Sequence, residues 1–378
     1  MIRVTSAVPT TDLRARLDRA RSGAASSGLD ALLISPGPDL RYLTGYDAKP
    51  LERLTCLIVP ASGEPTLVVP ALEKPAAEAA GVEALDVELV SWQETDDPYA
   101  LVAKLLPGDV RAVGVDNRMW AEKVLALRAA LPGVEQRLAG DVLRELRMRK
   151  SPAEVAALRE AAAAIDRVHA RIEEWLRPGR TEREVGRDIY DAILAEGHVQ
   201  VDFVIVGSGP NSASPHHELS DRVIEPGDPV VVDIGGTTAA GYCSDETRTY
   251  VAGGEPPEEL LRYYQVLERA QQAARAQVRP GVTAESVDAA ARDVITAAGY
   301  GPAFIHRTGH GIGLESHEHP YIVAGNTLRL EPGMTFSVEP GIYLEGRHGA
   351  RIEDIVVVTE DGGESLNHRP RGLRVVGG

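Results

Sequence analysis

The chain has 378 residues, enough for two or three domains of ordinary size. Its 43% hydrophobic and 25% charged residues are a globular composition, which excludes a chain that is disordered or fibrous throughout. Acidic residues outnumber basic ones 56 to 40, a net charge of −16 that disfavours nucleic-acid binding, and no apolar run of about 18 residues marks a membrane span.

The N-terminal stretch is charged and has no apolar centre, so it does not read as a secretory leader. Residues 11–30 are helix-like, and the run at 31–35 is an apolar strand. Strands at 55–60 and 66–70 form a hairpin around Ala61, Ser62, Gly63 and Glu64. A further strand at 110–116 precedes a helix near 119–130. These elements make a small α/β domain. Cys56 and Cys243 are the only cysteines, so a disulfide framework is excluded and a reducing cytoplasm fits best.

A domain boundary falls near 147–152. Ser151 is an N-cap, Pro152 suits the first helical position, and Glu154 completes a capping box. The spacing predicts one long helix that stops at Arg177, Pro178 and Gly179. Thr181 and Glu184 form a second capping box. Strands follow at 201–206, 229–235 and 241–251, then helices at 257–277 and 284–298, then strands at 334–339 and 350–358. This clustering indicates α+β.

Four segments carry chemistry. In VVVDIGGTTAAGYCSDETRTY, Asp233 ends one strand and Asp245 begins the next. A hairpin would bring both acids to one face, with Cβ atoms about 5 Å apart if they are cross-strand neighbours. Taken alone, this segment fits a solvated surface hairpin equally well. In HRTGHGIGLESHEHP, the glycines argue against a helix and suit close backbone approach. No strand precedes this G-x-G-x-G and no helix follows, so it is not a dinucleotide loop. Glu-Pro-Gly occurs at 225, 331 and 339, and only Glu339 ends an apolar strand. In GARIEDIVVV, Arg351 and Glu353 share one strand face and Asp354 takes the other. Four carboxylates and one imidazole buried together would require cations, and this donor set suits Mn²⁺, Co²⁺ or Zn²⁺.

The motifs D-I-G…S-D-E-T-R-T, G-H-G-I-G-L-E-S-H-E, V-E-P-G-I-Y and R-I-E-D occur in the order found in the pita-bread metallopeptidases, which residues 150–378 closely resemble. The K-S-P-x-E entry also matches. The first 150 residues resemble the creatinase-type N-terminal domain of prolidases and aminopeptidase P, which methionine aminopeptidases lack. The resemblance implies a creatinase-like domain over 1–148 and a pita-bread catalytic domain over 149–378, with a curved antiparallel sheet flanked by helices. It implies two divalent metal ions, Mn²⁺ first, held by Asp233, Asp245, His310, Glu339 and Glu353. Asp233 would chelate one ion, Asp245 and Glu353 would bridge, and His310 and Glu339 would complete the second.

By the same resemblance, Glu339 handles the proton of a metal-bridging hydroxide and His317 stabilises the oxyanion. His216 contacts substrate, with His217 as its rival; His306 lines the pocket, and Arg351 supports the ligands. The implied reaction is hydrolysis of the Xaa-Pro bond, by an Xaa-Pro dipeptidase or by an aminopeptidase on longer peptides. A creatinase- or ectoine-hydrolase-like enzyme and a non-catalytic binding module are the alternatives. The family commonly forms homodimers.

Two departures stand out. The step from Asp233 to Asp245 is twelve residues where many relatives have eleven, with the extra residue expected in the Gly236–Gly241 turn. Tyr321 stands where many prolidases place an arginine that holds the dipeptide carboxylate. Arg347, His348 and Arg371 are the cations expected to replace it.

Overall fold

A computed structural model describes residues 9–378, so the first eight residues of the charged N-terminal stretch lie outside the described residues. The chain divides into two compact units, Met1–Arg147 and Met148–Gly378. Among the described residues no helix is long and apolar enough to cross a membrane.

The first unit is built on a six-stranded sheet, in the order Glu88–Trp92, Thr66–Pro70, Cys56–Pro60, Ala31–Ile34, Ala112–Val115, Glu135–Leu138. The expected hairpin forms, with Cys56 opposite Val68 and Ile58 opposite Thr66. Ala31–Ile34 pairs antiparallel with that hairpin and parallel with Ala112–Val115. The two outermost strands were not anticipated. Both lie at sheet edges; Glu135–Leu138 buries none of its side chains and has no apolar face to announce it, while Glu88–Trp92 buries only Trp92.

In the second unit both capping boxes are present. Ser151 Oγ accepts from Glu154 N while Glu154 Oε2 accepts from Ser151 N, and Thr181 and Glu184 repeat the pattern. The first helix, Pro152–Ala170, is shorter than expected. At Arg171 the backbone leaves helical geometry and a 3₁₀ turn, Ile172–Glu174, carries the chain on. Ile172 and Leu176, on and just after this turn, are buried in one cluster with Val185, Ile189 and Val232.

Three sheets follow. Arg374–Val376, Cys243–Ala252, Asp228–Thr238 and His198–Ser208 form one. Glu318–Ile322, Gly309–Gly311, Thr335–Val338, Asp354–Val358 and Gly363–Ser365 form another. Gly341–Leu344 and His348–Arg351 form a two-stranded ribbon. Helices Glu258–Gln277 and Ala284–Ala297 cover these strands, placing Leu260, Leu267, Val287 and Ala291 in one cluster with Phe336, Val338 and Ile342. Each fully buried side chain of that size contributes about 1.5–3 kcal/mol.

Two sequence expectations change in detail. The strand expected at 350–358 is two strands, broken at Ile352 and Glu353 where the chain passes from the ribbon to the five-stranded sheet. Asp233 and Asp245 are not directly opposed, because Asp233 pairs with Thr247 and Asp245 with Gly235. They are diagonal neighbours on the same face, since residues two apart on a strand point the same way.

His169, at the end of the first helix, is fully buried against Tyr250 Oη (2.9 Å) and the Glu246 carbonyl (3.2 Å). Burial, with the Arg248 guanidinium nearby, pushes its pKa from 6.5 down to about 3. The unfolded chain therefore takes up a proton that the native state refuses until about pH 3. Its contribution is fully present above the unfolded value and is lost as pH falls through that window. His169→Gln should consequently lose less stability than the unsubstituted protein between about pH 7 and about pH 5. Urea midpoints at the two pH values measure this, and equal losses would rule out His169 as a source of acid sensitivity.

Candidate metal centre and substrate cavity

The five carboxylate and imidazole residues singled out by sequence come from five separate stretches and meet at one cavity of about 930 Å³. Asp233 lies within Asp228–Thr238 and Asp245 within Cys243–Ala252, so rigid paired strands fix both. Glu339 follows directly on Thr335–Val338, and its N–H donates to Thr308 O at 2.8 Å. Glu353 sits at the break between two strands, where its N–H donates to Thr247 O at 3.1 Å.

His310 depends on the glycines beside it. It occupies the three-residue strand Gly309–Gly311, whose register shifts between His310 and Gly311. A Cβ on Gly309 would stand 1.8 Å from Ser337 O, and one on Gly311 would stand 2.2 Å from His319 O. The glycine run thus allows backbone contact on both sides, and the bulge aims the imidazole inward. Nδ1 lies 3.1 Å from Gly311 O, the geometry of an N–H donor, which leaves the Nε2 lone pair facing the carboxylates. From Nε2, Glu339 Oε1 is 3.2 Å away and Asp245 Oδ2 is 3.6 Å away.

Asp245, His310 and Glu353 each offer one ligand atom within 4.8 Å of the others. The Asp233 and Glu339 carboxylates line the same cavity. Burial and the neighbouring carboxylates push both Asp245 and Glu353 well above the ordinary carboxylate range. Burial acts in the same sense on Glu339, but a proton on His310 Nε2 would outweigh it and hold that carboxyl at about 2, and that proton is what a bound cation would replace. Asp233 Oδ1 and Glu353 Oε1 are buried with no hydrogen-bond partner. Orphaned oxygens on crowded acids, together with one imidazole lone pair, fit a divalent cation that accepts mostly oxygen ligands.

The remaining oxygens are held by the protein. Arg351 NH2 donates to Asp233 Oδ2 at 2.5 Å, and its Nε donates to Thr247 Oγ1 at 3.1 Å. Thr247 Oγ1 donates to Glu353 Oε2 at 2.7 Å. Ser337 Oγ accepts from His310 N and donates to Glu339 Oε1, each at 3.0 Å. Arg351 NH1 donates to Tyr343 Oη at 2.7 Å, and that hydroxyl stands 2.9 Å from His306 Nε2. Burial pushes the Tyr343 hydroxyl up to about 12, so it stays protonated.

Around this centre stand His216, His306 and His317. The ring centroid of His317 is 3.9 Å from that of His310. Burial, with His310 and Arg307 nearby, pushes His317 down to about 4, leaving it neutral at ordinary pH. The rivalry between His216 and His217 has a geometric answer: His216 lines the cavity, whereas His217 Nε2 is 2.7 Å from the buried Glu182 carboxylate. Glu182 also accepts from Ser208 N and Oγ, so His217 belongs to a structural network. Beside His317, Glu318 forms a 2.6 Å ion pair with Lys150, both side chains nearly inaccessible.

None of the three cations expected to stand in for the missing arginine lines the cavity. Arg347 is paired with Glu259, His348 faces Tyr263, and Arg371 is bound to Asp354. Tyr321 does not line it either. Two cations do line it: Arg351, tied to Asp233, and Arg307, whose guanidinium carbon sits 4.4 Å over the Tyr321 ring. No ion pair holds Arg307 among the described residues. The sequence signal was there, since Arg307 is the basic residue between His306 and the glycine run.

Residues 156–360 match the metallopeptidase family M24, and residues 16–149 match the creatinase/prolidase N-terminal domain. The probable dipeptidase PepE of Mycobacterium tuberculosis is 56% identical over 361 residues, covering 96% of each chain. An Xaa-Pro dipeptidase of Lactobacillus delbrueckii subsp. lactis is 38% identical over 95% of this chain and 98% of that one. The crystal structure of dipeptidase PepE from Mycobacterium ulcerans aligns with a TM-score of 0.94 at 56% identity, over 98% of this chain and 99% of that one.

Arg351 should matter through the carboxylate it holds. Arg351→Lys keeps the charge but loses the fork that reaches Asp233, Thr247 and Tyr343 together. Metal affinity, read by calorimetric Mn²⁺ titration, should fall about 10–100-fold with the circular dichroism spectrum unchanged. Unaltered affinity would exclude that support.

Proposed function

Because the chain belongs to metallopeptidase family M24 and carries a creatinase/prolidase N-terminal domain, we propose that it hydrolyses the peptide bond before proline, chiefly in Xaa-Pro dipeptides. Its architecture is a pita-bread domain preceded by the smaller α/β domain. The functional division is placed at 1–148 and 149–378. The observation that carries the reading is the convergence of Asp245, His310 and Glu353 in the cavity that also contains Arg307.

Asp233, Asp245, His310, Glu339 and Glu353 would hold two divalent ions, with Mn²⁺ preferred and Co²⁺ or Zn²⁺ also suited to such donors. Bound there, the ions would polarise the scissile carbonyl and lower the pKa of the attacking water. Glu339, a carboxylate at neutral pH, accepts the proton of that water as the new C–O bond forms. A proline nitrogen in a peptide bond has no N–H, so it must gain a proton to leave as an amine. Glu339 delivers that proton as the C–N bond breaks. His317, neutral and adjacent to His310, donates an N–H to the developing oxyanion. His216 contacts the substrate from the cavity wall, while Tyr343 fixes the ring of His306 beside it.

Specificity rests on two features. Phe203, Ile205 and Ile305 supply an apolar wall for the pyrrolidine ring. Arg307, presented on Tyr321, receives the C-terminal carboxylate of a dipeptide. A second reading, Xaa-Pro aminopeptidase action on longer peptides, is favoured by the cavity's volume of about 930 Å³. Burial holds the thiols of Cys56 and Cys243 at about 12 and about 11, and both are free, which supports a cytoplasmic setting. Assembly as a homodimer is carried over from the family resemblance alone.

With Mn²⁺ supplied, Ala-Pro should be cleaved faster than Ala-Pro-Ala, and Ala-Ala should resist; equal cleavage of Ala-Ala would overturn the specificity. Glu339→Gln should abolish turnover while the fold persists, and a fully active variant would refute its proton-transfer role. Arg307→Met should raise KM for Ala-Pro about tenfold or more, the size of one lost charge-assisted bond, and affect Ala-Pro-Ala less. Equal effects on both peptides would remove Arg307 from carboxylate recognition.

A further inference from the structure

A second cavity, of about 400 Å³, lies outside the centre described above, between helix Glu258–Gln277 and the strands Asp354–Val358 and Gly363–Ser365. Its polar lining comes from Glu268, Gln271, Gln272, Arg275, Ser365 and Arg371. Behind that lining, bonded to Gln271 and Arg371, is Asp354, fully buried, which follows Glu353 in sequence but faces the other way.

Asp354 is oversubscribed. Arg248 NH2 donates to Oδ1 at 2.8 Å, while Gln271 Nε2 (2.7 Å) and Arg371 Nε (2.6 Å) both donate to Oδ2. Arg275 arrives as a third cation and is crowded out, its Nε stopping 3.8 Å from Oδ2. That Nε is buried with no hydrogen-bond partner, and so is Ser365 Oγ. The contact from Arg275 NH1 to Gln271 Oε1 is long, at 3.5 Å. Arg248 differs from the other two: it is saturated by Thr247 O, Glu353 O, Pro370 O and Arg369 O. Three guanidiniums thus face one buried carboxylate, and two of them line an open cavity. Burial and the positive charges of Arg371 and Arg248 weaken the protonated form of Arg275, with only Asp354 opposing them. Glu268 is the one carboxylate on the wall, and burial raises its pKa, which lessens its opposition to a negative guest.

We propose that this cavity binds a compact oxyanion, a phosphate group or a small carboxylate, clasped between Arg275 and Arg371 with Ser365 Oγ as a further donor. Planar guanidiniums carrying unsatisfied N–H groups recognise such anions through paired hydrogen bonds. Glu246 stands 2.9 Å from Arg248, so a guest anion would chiefly offset the positive charge of Arg275 and Arg371.

The test uses the full-length, metal-loaded protein. Calorimetric titration with potassium phosphate in one arm and sodium acetate in the other, against chloride at matched ionic strength, measures binding. The same titrations on Arg275→Met separate this site from anion binding at the metal centre. At least one anion should bind at least tenfold more weakly to Arg275→Met, with partial recovery in Arg275→Lys. The anion with the stronger Arg275-dependent component identifies the guest as phosphate-like or carboxylate-like. Ser365→Ala removes one hydroxyl, and should weaken the same component about threefold should the arginine variants fail to fold. Absence of binding by both anions, or binding undiminished in the variants, would overturn the site.

Discussion

Like charges brought together out of water set the terms for the catalytic unit. Asp233, Asp245, Glu339 and Glu353 converge on one cavity, with Arg351 ion-paired to Asp233 and the His310 imidazole beside Asp245 and Glu339. Such a cluster has no standing in a folded protein without compensation, because an unpaired buried charge costs several kcal/mol. The sheet geometry, the glycines at 309 and 311, and the relay from Tyr343 through Arg351 to Thr247 act together to hold this repulsive set in one place. The free energy that cations gain at such a centre is also free energy of folding for the segments that bring the ligands in.

The same constraint organises the surroundings. Asp233 and Glu353 each have one oxygen tied to the scaffold while the other stays uncommitted. Asp233 has Oδ2 on Arg351 and Oδ1 free of partners. Glu353 has Oε2 on Thr247 and Oε1 unpartnered. Asymmetric tethering fixes the direction of the remaining lone pairs, which is how supporting residues tune a metal centre. The Asp354 side of the strand inverts the pattern, since there the cations are in excess and the carboxylate is saturated.

Much of this was legible in the sequence because it follows from spacing. The capping boxes at Ser151 and Thr181, the 56–60 and 66–70 hairpin, and the alternation that turns Arg351 and Glu353 away from Asp354 are local rules read from local residues. Long-range facts were not legible. The diagonal rather than direct pairing of Asp233 and Asp245 depends on strand register, which no single segment specifies. Edge strands such as Glu135–Leu138 carry no apolar face to announce them. Arg347, His348 and Arg371, the cations the sequence offers in place of the missing arginine, are each bound elsewhere. The relation of Arg307 to Tyr321, fourteen positions on, exists only once two strands have paired.

The ion pair between Lys150 and Glu318 has a consequence for modularity. It joins the first residues of the second unit to the residue after His317, and both partners are almost wholly withdrawn from water. A chimaera that grafted another N-terminal module onto this scaffold would have to splice upstream of Lys150. A junction even a few residues later would take away the cation that Glu318 pairs with, beside a histidine that lines the metal-centre cavity. The seam at which evolution can exchange the leading module is therefore narrow, and chemistry at the far end of the chain sets its limit.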